Sequence, residues 1–473
     1  MTQLLECTEP RIRPIYSQDE PSQPIELGKH RVELTWGGKV RNLQCNVQLR
    51  LLPKKRLTFD VVESDEFPVN QFEMLAQTIA TFDDKNDKWD GKLKLLERGV
   101  QFDTLYMGTG RSGFWTFQPR ISVVTATKPT REIQSAIVHL FNFPDFFDID
   151  GGDDYVLRRK NGGCRCGRAL LNADGWRIEI AATDMTDKQT KGLEENGGFA
   201  ITHMVRIDRE DETEFSSEAL ENLLHCLHQF LSFALGRWAG LAFPIGFDEA
   251  GNRVFEQWGL PMTADGQWNG GLSWFDSHHG SMLSEVFPGF CKLWSDEAWR
   301  STMQECLYWY VAANDRGTGI GVDTGLILTQ TAFERLAWSY CVKFRKMVSP
   351  TAFKPGKLTA ADKLRLLVSA LGVPLAIPPN LPALAKARGN RQWDDSLHAI
   401  TEIRNSIVHP DSKASTSHEE YIEAWKLSLW LLELCLLRLC DHNGSYGNRL
   451  SQRWAGQTEP VPWNAKPGSA PVV

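Results

Sequence analysis

The sequence has 473 residues, of which 42% are hydrophobic and 23% are charged, and its net charge at pH 7 is −7. A chain of this length can bury substantial cores and is expected to fold as two or three domains. The acidic balance excludes a surface that coats nucleic acid along its whole length, because such proteins carry a positive excess. The charge is uneven, however, since residues 301–473 hold 19 Lys and Arg against 15 Asp and Glu, whereas the remainder holds 33 against 44.

The ten cysteines are scattered without the spacing of a disulfide framework, and several lie in apolar helical segments, as Cys226, Cys341 and Cys435 do. The first residues, MTQLLECTEPRIRPIYSQDEP, contain no apolar signal-peptide core. No run is long and apolar enough to cross a membrane, because the best candidate, LWLLELCLLRLC, contains Glu433 and Arg438. We therefore expect a cytoplasmic protein with reduced thiols and no membrane partner.

Short extended runs open the chain. RVELTW, LQCNVQLRLL and RLTFDVV alternate between residues 31 and 62, and WRIEIAAT and FAITHMVRID follow further on. Alternation with period two, interrupted by Gly and Pro turns, is typical of half-buried strands. The pattern predicts a β-rich, antiparallel domain over residues 1–212, and this half resembles no family that we identify. A sensing or regulatory role for it is implied only by the family resemblance of the C-terminal part described below.

Residues 213–300 are predicted to connect this domain to the next. An amphipathic helix begins at Ser216 and carries Leu220, Leu223, Leu227 and Leu231 on one face. Residues 242–280 are rich in loops and tryptophans, and we interpret them as a hairpin within a helical and aromatic connector.

The last part of the chain has a helical pattern. A helical domain is predicted over residues 301–445, with a final long helix that begins at Ser417 and has Glu420 three residues later, which is a capping box. Residues 446–473 are predicted to form a loose, Pro-rich tail. The expected fold class is therefore α+β, with an antiparallel β domain followed by an α-helical bundle.

One segment of the helical domain carries the groups that phosphodiester chemistry needs. Asp394, Asp395 and Ser396 predict a helix start, and Leu397, Ile400, Ile403 and Ile407 recur at helical spacing. Arg404 falls within this apolar stripe, where a charge needs an anion or a polar partner. Pro410 predicts that the helix ends near His409.

Together Arg404, Asn405 and His409 provide a permanent cation, an amide and an imidazole. A guanidinium binds phosphate oxygens and an imidazole transfers protons near neutral pH, so these groups suffice for phosphodiester cleavage without a metal. The alternative is structural: Arg404 could belong to a buried ion pair, and His409 could simply favour the negative end of the helix.

The segment EIRNSIVHP resembles the Arg-x4–6-His signature of the HEPN superfamily, with Arg404, Asn405 and His409 at its three positions. Upstream, residues 324–342 resemble the first long helix of that family, where Glu334 occupies a region that often carries an acid. Residues 363–387 resemble its second helix and Pro-rich connection, and the resemblance covers about Cys306 to Asn443.

This resemblance implies an endoribonuclease that needs no metal or other cofactor, of the kind found in anti-phage, abortive-infection and toxin-like proteins. In it, Arg404, Asn405 and His409 would be catalytic, and Glu334 would orient Arg404 or pair with it. HEPN nucleases pair two copies of this motif across a two-fold dimer, so the resemblance also implies a homodimer. The expected partners are an RNA substrate and a phage-derived or nucleotide trigger.

Two other interpretations remain open from the sequence. A HEPN fold without catalysis could bind nucleotide or RNA, or serve as a dimerisation scaffold beside a ligand-sensing β domain. Alternatively, the β domain could be the functional part, with the helices as an oligomerisation module. The intact Arg404, Asn405 and His409 favour the enzyme, because a scaffold does not need all three.

Overall fold

The fold was analysed in a computed structural model. It describes the following residues: 12–36, 39–52, 56–64, 92–95, 100–103, 105–109, 115–119, 123–125, 132–149, 157–158, 164–165, 167–259, 272–314, 321–354, 356–409, 416–452 and 454–464. In this part of the chain antiparallel sheets come first and a helical region follows, which confirms the predicted α+β class.

Seven strands form the first sheet, in the order β5-β4-β1-β2-β3-β7-β6 with antiparallel pairing throughout. The strands are β1 (Ile25–Trp36), β2 (Lys39–Arg50), β3 (Arg56–Ser64), β4 (Lys92–Leu95), β5 (Val100–Asp103), β6 (Leu105–Thr109) and β7 (Trp115–Pro119). On β2 the buried residues Leu43, Cys45, Val47 and Leu49 alternate with half-buried ones, as expected for a sheet with one covered face.

The second sheet also has seven antiparallel strands, in the order β12-β13-β14-β9-β15-β16-β8. They are β8 (Val123–Thr125), β9 (Ser135–Phe141), β12 (Arg168–Ala173), β13 (Trp176–Ala182), β14 (Ile201–Arg209), β15 (Gly240–Phe247) and β16 (Arg253–Gly259). Two short hairpins complete the strands: β10 (Leu157–Arg158) with β11 (Cys164–Arg165), and β17 (Ser445–Tyr446) with β18 (Glu459–Pro460).

The helices are α1 (Thr186–Asn196), α2 (Ser217–Leu235), α3 (Ser281–Ser295), α4 (Glu297–Asn314), α5 (Val322–Ala337), α6 (Ala360–Ala370), α7 (Pro382–Arg391), α8 (Ser396–Val408) and α9 (His418–Leu439). A π-helical turn (Trp338–Phe344) continues α5, and a 3-10 turn (Pro462–Asn464) follows β18. The predicted caps at Ser216, Asp395 and Ser417 are confirmed, because each side chain accepts a hydrogen bond from a backbone N–H of the first turn.

The two faces of the second sheet meet different layers. On β9, Ala136, Val138 and Leu140 face the helices and join one continuous core with α2 and the helical bundle. The alternate residues His139 and Phe141 face the first sheet, whose core also contains Val47 and Phe59 of β2 and β3.

The segment 12–24 lies between the two sheets. The backbone N–H of Tyr16 donates to Nε2 of His139 at 3.0 Å, and its hydroxyl donates to the fully buried Glu256. Nε1 of Trp258 also donates to Glu256, at 2.8 Å. Buried carboxylates need such donors, so this segment is an integral part of the β domain.

Residues 213–300 differ from the predicted connector. The stretch interpreted as loop and hairpin contains β15 and β16, and β15 pairs with β9 in the middle of the second sheet. The α2 helix packs on that sheet and buries Leu227, Phe230 and Leu231. The partner strand of β15 lies about a hundred residues earlier, so no local pattern could reveal the pairing.

The start of the predicted tail is also packed. Arg449 is buried, and its guanidinium donates to the buried carboxylate of Glu433, with Nε 2.9 Å from Oε2. The same guanidinium donates to Oδ1 of Asn314 at 3.0 Å and to the carbonyl of Leu272 at 2.8 Å. Residues 446–464 therefore connect α4, α9 and the segment after the second sheet, whereas residues 465–473 lie outside the described residues.

Candidate functional site

The candidate site lies at the C-terminal end of α8. Leu397, Ile400 and Ile403 are fully buried, and they pack α8 against α5, α6 and α9 of the same chain. The helix ends at Val408, and His409 is its C-cap with φ −114° and ψ 112°, as the following proline predicts. This stripe belongs to the core of the chain itself, so the apolar face is not available for a partner.

Arg404 lies at the edge of that stripe and is half-buried. One guanidinium nitrogen, NH1, donates to Oδ1 of Asn405 at 3.2 Å. The buried Nε has no hydrogen-bond partner in the described part of the chain. A buried N–H without an acceptor is unfavourable, so this position of the Arg404 side chain costs free energy.

His409 is exposed to solvent, and its backbone N–H donates to the carbonyl of Asn405 at 2.9 Å. Asn405 thus contacts both neighbours, through its side chain and through its backbone. The three predicted residues lie together at one helix end, with the cation at the core edge and the imidazole in solvent.

Glu334 is not part of this group. It is exposed on α5 and accepts a hydrogen bond from Nε2 of Gln330 at 3.0 Å. Among the residues that the structure describes, no hydrogen bond or ion pair joins Glu334 to Arg404, Asn405 or His409. An orienting role for Glu334 therefore has no contact to support it.

Sequence reasoning missed the network that holds the site in place. Arg391 at the end of α7 bridges Glu402 of α8 at 3.5 Å and Glu420 of α9 at 3.0 Å. The hydroxyl of Ser406 lies 3.3 Å from that of Tyr421 on α9. No spacing within one element signals such contacts, because they join three different helices.

A second group of charged residues was also missed. An open cleft of about 730 Å³ lies on the same face of the second sheet as His139 and Phe141, and we call it the arginine cleft. Its floor and walls include Arg168, Arg177, Glu179, Arg206, Asp208 and Phe247. The alternation Arg-Ile-Glu on β13 and Arg-Ile-Asp on β14 is the signal that could have revealed it, because period two places these charges on one face.

Within the described ranges, no group of three or more His, Cys, Asp and Glu side chains is arranged to hold a metal ion. None of the helices in these ranges combines the length and the apolar character of a membrane span.

Two family models match the chain. Residues 128–269 match the model of the YopA central domain, and residues 296–460 match that of the YopA C-terminal domain. The chain is also similar to the SPbeta prophage-derived uncharacterized protein YopA of Bacillus subtilis (strain 168), with 29% identity over 310 residues, which are 63% of this chain and 67% of that protein. No solved structure matches the chain.

The predicted HEPN resemblance is wrong. The whole segment from Arg404 to His409 lies within the match to the YopA C-terminal domain, and no HEPN model matches. The pattern of an arginine followed five residues later by a histidine can arise in any helix that ends before a proline, because a histidine favours the C-terminal end of a helix. Many unrelated helices meet that condition. Any function of Arg404, Asn405 and His409 must therefore be argued from their own geometry.

Proposed function

We propose that this protein is an endoribonuclease that acts without a metal ion, with its active site at the C-terminal end of α8. The observation that carries the proposal is the half-buried guanidinium of Arg404, whose Nε is buried without a partner, five residues before the exposed imidazole of His409. A cation with unused donors binds phosphate oxygens, and an exposed imidazole transfers protons at neutral pH.

The chemistry follows from these groups. His409 accepts the proton of a ribose 2′-hydroxyl. As it does so, the 2′-oxygen attacks the adjacent phosphorus, and the bond from phosphorus to the 5′-oxygen breaks. Arg404 stabilises the negative charge that develops on the phosphate oxygens. Asn405 positions Arg404 through the 3.2 Å hydrogen bond between their side chains. The products are a 2′,3′-cyclic phosphate and a 5′-hydroxyl.

The leaving 5′-oxygen must gain a proton, and the site offers one histidine per chain. A second copy of the chain would supply the second imidazole, so a two-fold homodimer with facing α8 ends is part of the proposal. Since the apolar stripe of α8 is already buried within its own chain, the dimer contact has to be made by the exposed end, where Val408 and His409 lie.

We further propose that this activity is that of a regulated, toxin-like effector in the cytoplasm, where its RNA substrate would be found. The prophage origin stated in the name of the Bacillus subtilis relative supports a setting linked to phage. In this view the two sheets restrain the enzyme until a phage-derived or nucleotide trigger binds.

Cleavage can be tested with the purified full-length chain and total RNA in buffer containing EDTA. The expected result is fragments that end in 2′,3′-cyclic phosphate, and a rate that falls by ~100-fold or more in His409→Ala, because a general acid or base typically contributes that much. His398→Ala is the matched control, since His398 lies at the other end of the same helix and pairs only with Asp394. Cleavage that needs magnesium, or that survives in His409→Ala, would overturn the proposal.

The shared site can be tested by mixing wild-type and His409→Ala proteins. If the cleft needs one imidazole from each chain, an excess of His409→Ala protein should inactivate most of the wild-type chains, because a mixed dimer holds only one imidazole. Solution mass measured on the same samples establishes the dimer. Full activity in a monomer would exclude the two-chain arrangement while leaving the cleavage chemistry intact.

A further inference from the structure

The arginine cleft is a group of charged residues that the proposed active site does not use. Side chains of β12, β13 and β14 form its floor, and the residues Ile12 and Arg13 of the segment between the sheets form one rim. The opposite rim is the turn between β15 and β16, where the N–H of Gly251 donates to the carbonyl of Asp248 at 2.9 Å. A volume of about 730 Å³ suits a single small ligand.

Positive and negative side chains line the cleft in equal number. Five are arginines and five are carboxylates: Arg13, Arg168, Arg177, Arg206, Arg209, Glu179, Asp208, Glu212, Asp248 and Glu249. Glu179 pairs with Arg168, with Oε1 2.8 Å from Nε. Asp208 is shared by Arg206 at 2.9 Å and by Arg177 at 3.9 Å. Because each guanidinium has five N–H donors, Arg177 and Arg206 can bind an anion in addition to the carboxylate that they share.

Arg177 is available to a ligand. Its side chain is 60% exposed, and the ion pair that it makes among the described residues, at 3.9 Å, is long for a hydrogen bond. Such an exposed pair contributes little stability, so the side chain can turn towards an incoming anion without loss to the fold.

An apolar strip runs beside the charges. Ile12, Ile137 and Phe247 are partly buried against the core between the sheets, and all three line the cleft. Phe247 and the start of β9 are held together, because Gln134 donates its backbone N–H to the carbonyl of Phe247 at 2.8 Å. A flat ring system could pack on this strip while an attached anion reaches the arginines.

The rim carries hydrogen-bond acceptors. Glu212 and Glu249 are exposed carboxylates that line the cleft beside its mouth. Carboxylates accept bonds from hydroxyl and amino groups but repel a polyanion. The N-terminal 300 residues also carry 44 Asp and Glu against 33 Lys and Arg, which disfavours a long nucleic-acid backbone.

From this combination we propose that the arginine cleft binds a nucleoside phosphate. Its phosphate would meet Arg177 and Arg206, its base would pack on Phe247 and Ile137, and its ribose hydroxyls would donate to the carboxylates of the rim. The proposal goes beyond the proposed cleavage activity and stands without it, although such a site is where a nucleotide trigger would act.

Binding can be measured by calorimetry with AMP, GMP, CMP and UMP, each beside inorganic phosphate and citrate. The full chain should carry His409→Ala, so that failure of the cleavage proposal does not affect the result. We expect at least one nucleotide to bind more tightly than phosphate or citrate, and to bind more weakly as salt is added.

The variants Arg177→Ala and Phe247→Ala should each weaken that binding by about 10-fold or more, because a charge-assisted hydrogen bond or a ring contact is lost. Lys191→Ala is the matched control, since Lys191 is 76% exposed and also has a single ion pair at 3.9 Å, on α1. The Lys191→Ala protein should bind the nucleotide with unchanged affinity.

Three outcomes would overturn the proposal. Absence of binding by all four nucleotides would do so, and so would equal binding of citrate and nucleotide, which would indicate a general anion site. Retention of affinity in both Arg177→Ala and Phe247→Ala would place the nucleotide elsewhere. Binding of an RNA oligomer or of an acidic peptide in preference to every mononucleotide would replace the ligand by a macromolecule.

Discussion

At the scale of single residues, the strongest feature is the ion pair between Glu433 and Arg449, because both side chains are at most 1% exposed. Tyr310 donates its hydroxyl to the same carboxylate at 2.5 Å, and burial together with the negative charge of Glu433 raises the pKa of that phenol well above its usual value. A buried charge that loses its partner is strongly unfavourable, whereas a fully hydrogen-bonded pair is tolerated.

We therefore expect Arg449→Ala to destabilise the protein by roughly 3–5 kcal/mol, since it leaves the Glu433 carboxylate buried without its cation. Urea unfolding of the purified variant measures this loss. Glu305→Ala is the control, because Glu305 pairs with Arg335 at 2.9 Å but is 41% exposed, and exposed pairs are worth ~1 kcal/mol or less. Equal effects of the two substitutions would show that burial of the pair does not matter.

Two buried histidines predict acid sensitivity. Burial lowers the pKa of His139 from 6.5 to about 4, and burial likewise lowers that of His228 to about 4. The unfolded chain takes up these protons near pH 6.5, whereas the folded chain does not until about pH 4. Stability is therefore complete above pH 6.5 and falls towards pH 4, by roughly 3 kcal/mol for each residue.

The measurement is the free energy of unfolding between pH 7.5 and pH 4.5. His228→Phe, which preserves a ring beside Trp238, should reduce the slope in this range. Asn222→Ala, at an exposed position on the same helix, should leave the slope as it is, because it removes no titrating group. An unchanged slope in His228→Phe would mean that other groups cause the acid sensitivity.

At the scale of elements, α3 approaches the end of α9 so closely that only glycine fits at position 289. A Cβ at Gly289 would overlap the carbonyl oxygen of Cys440, which is backbone and cannot turn away. Gly289→Ala should therefore destabilise the protein by about 2 kcal/mol or more, as overpacking typically does.

Gly389 on α7 provides a matched control for this prediction. Nothing lies within 4 Å of a Cβ at that position, and alanine is the better helix former, so Gly389→Ala should be neutral or stabilising by up to about 1 kcal/mol. Thermal melts of the two variants compare them directly. A stable Gly289→Ala protein would show that α3 and α9 can separate.

The elements also show what the sequence could and could not predict. The starts of α2, α8 and α9 were predicted correctly, because each capping side chain lies within four residues of the backbone N–H from which it accepts a hydrogen bond. The caps are Ser216, Asp395 and Ser417. A hairpin was predicted where β15 and β16 pair, but its place in the second sheet was missed, because β15 joins that sheet only by pairing with the distant strand β9. The grouping of Arg404, Asn405 and His409 was predictable, because all three lie within or at the end of one helix. A contact between Glu334 and Arg404 would join two helices, and local spacing could not show that it is absent from the described residues.

At the scale of the whole molecule, one apolar core extends from Ile133 of the second sheet to Val461 near β18. The first sheet has a core of its own, which it shares with the opposite face of the second sheet. The second sheet and the helical bundle therefore share one core, although the sequence had predicted them as separate domains.

This continuity predicts how the protein opens. In hydrogen exchange followed by mass spectrometry, peptides from β9, α2 and α9 should exchange through one common opening, because separating any of them exposes the same core. Val47 and Phe59 belong to the other core, so peptides from β2 and β3 should exchange at a different free energy. Independent exchange of β9 and α9 would contradict a shared core.

The pair of Glu433 and Arg449 also has a consequence for biosynthesis. Translation delivers Glu433 before Arg449, so a nascent chain that has already made α9 still lacks the cation that its buried carboxylate requires. Until Arg449 emerges from the ribosome, α4 and α9 cannot complete their packing, and the end of α8 remains unsupported by a finished bundle. Under the proposed cleavage activity, this order of assembly would delay its appearance until Arg449 has left the ribosome.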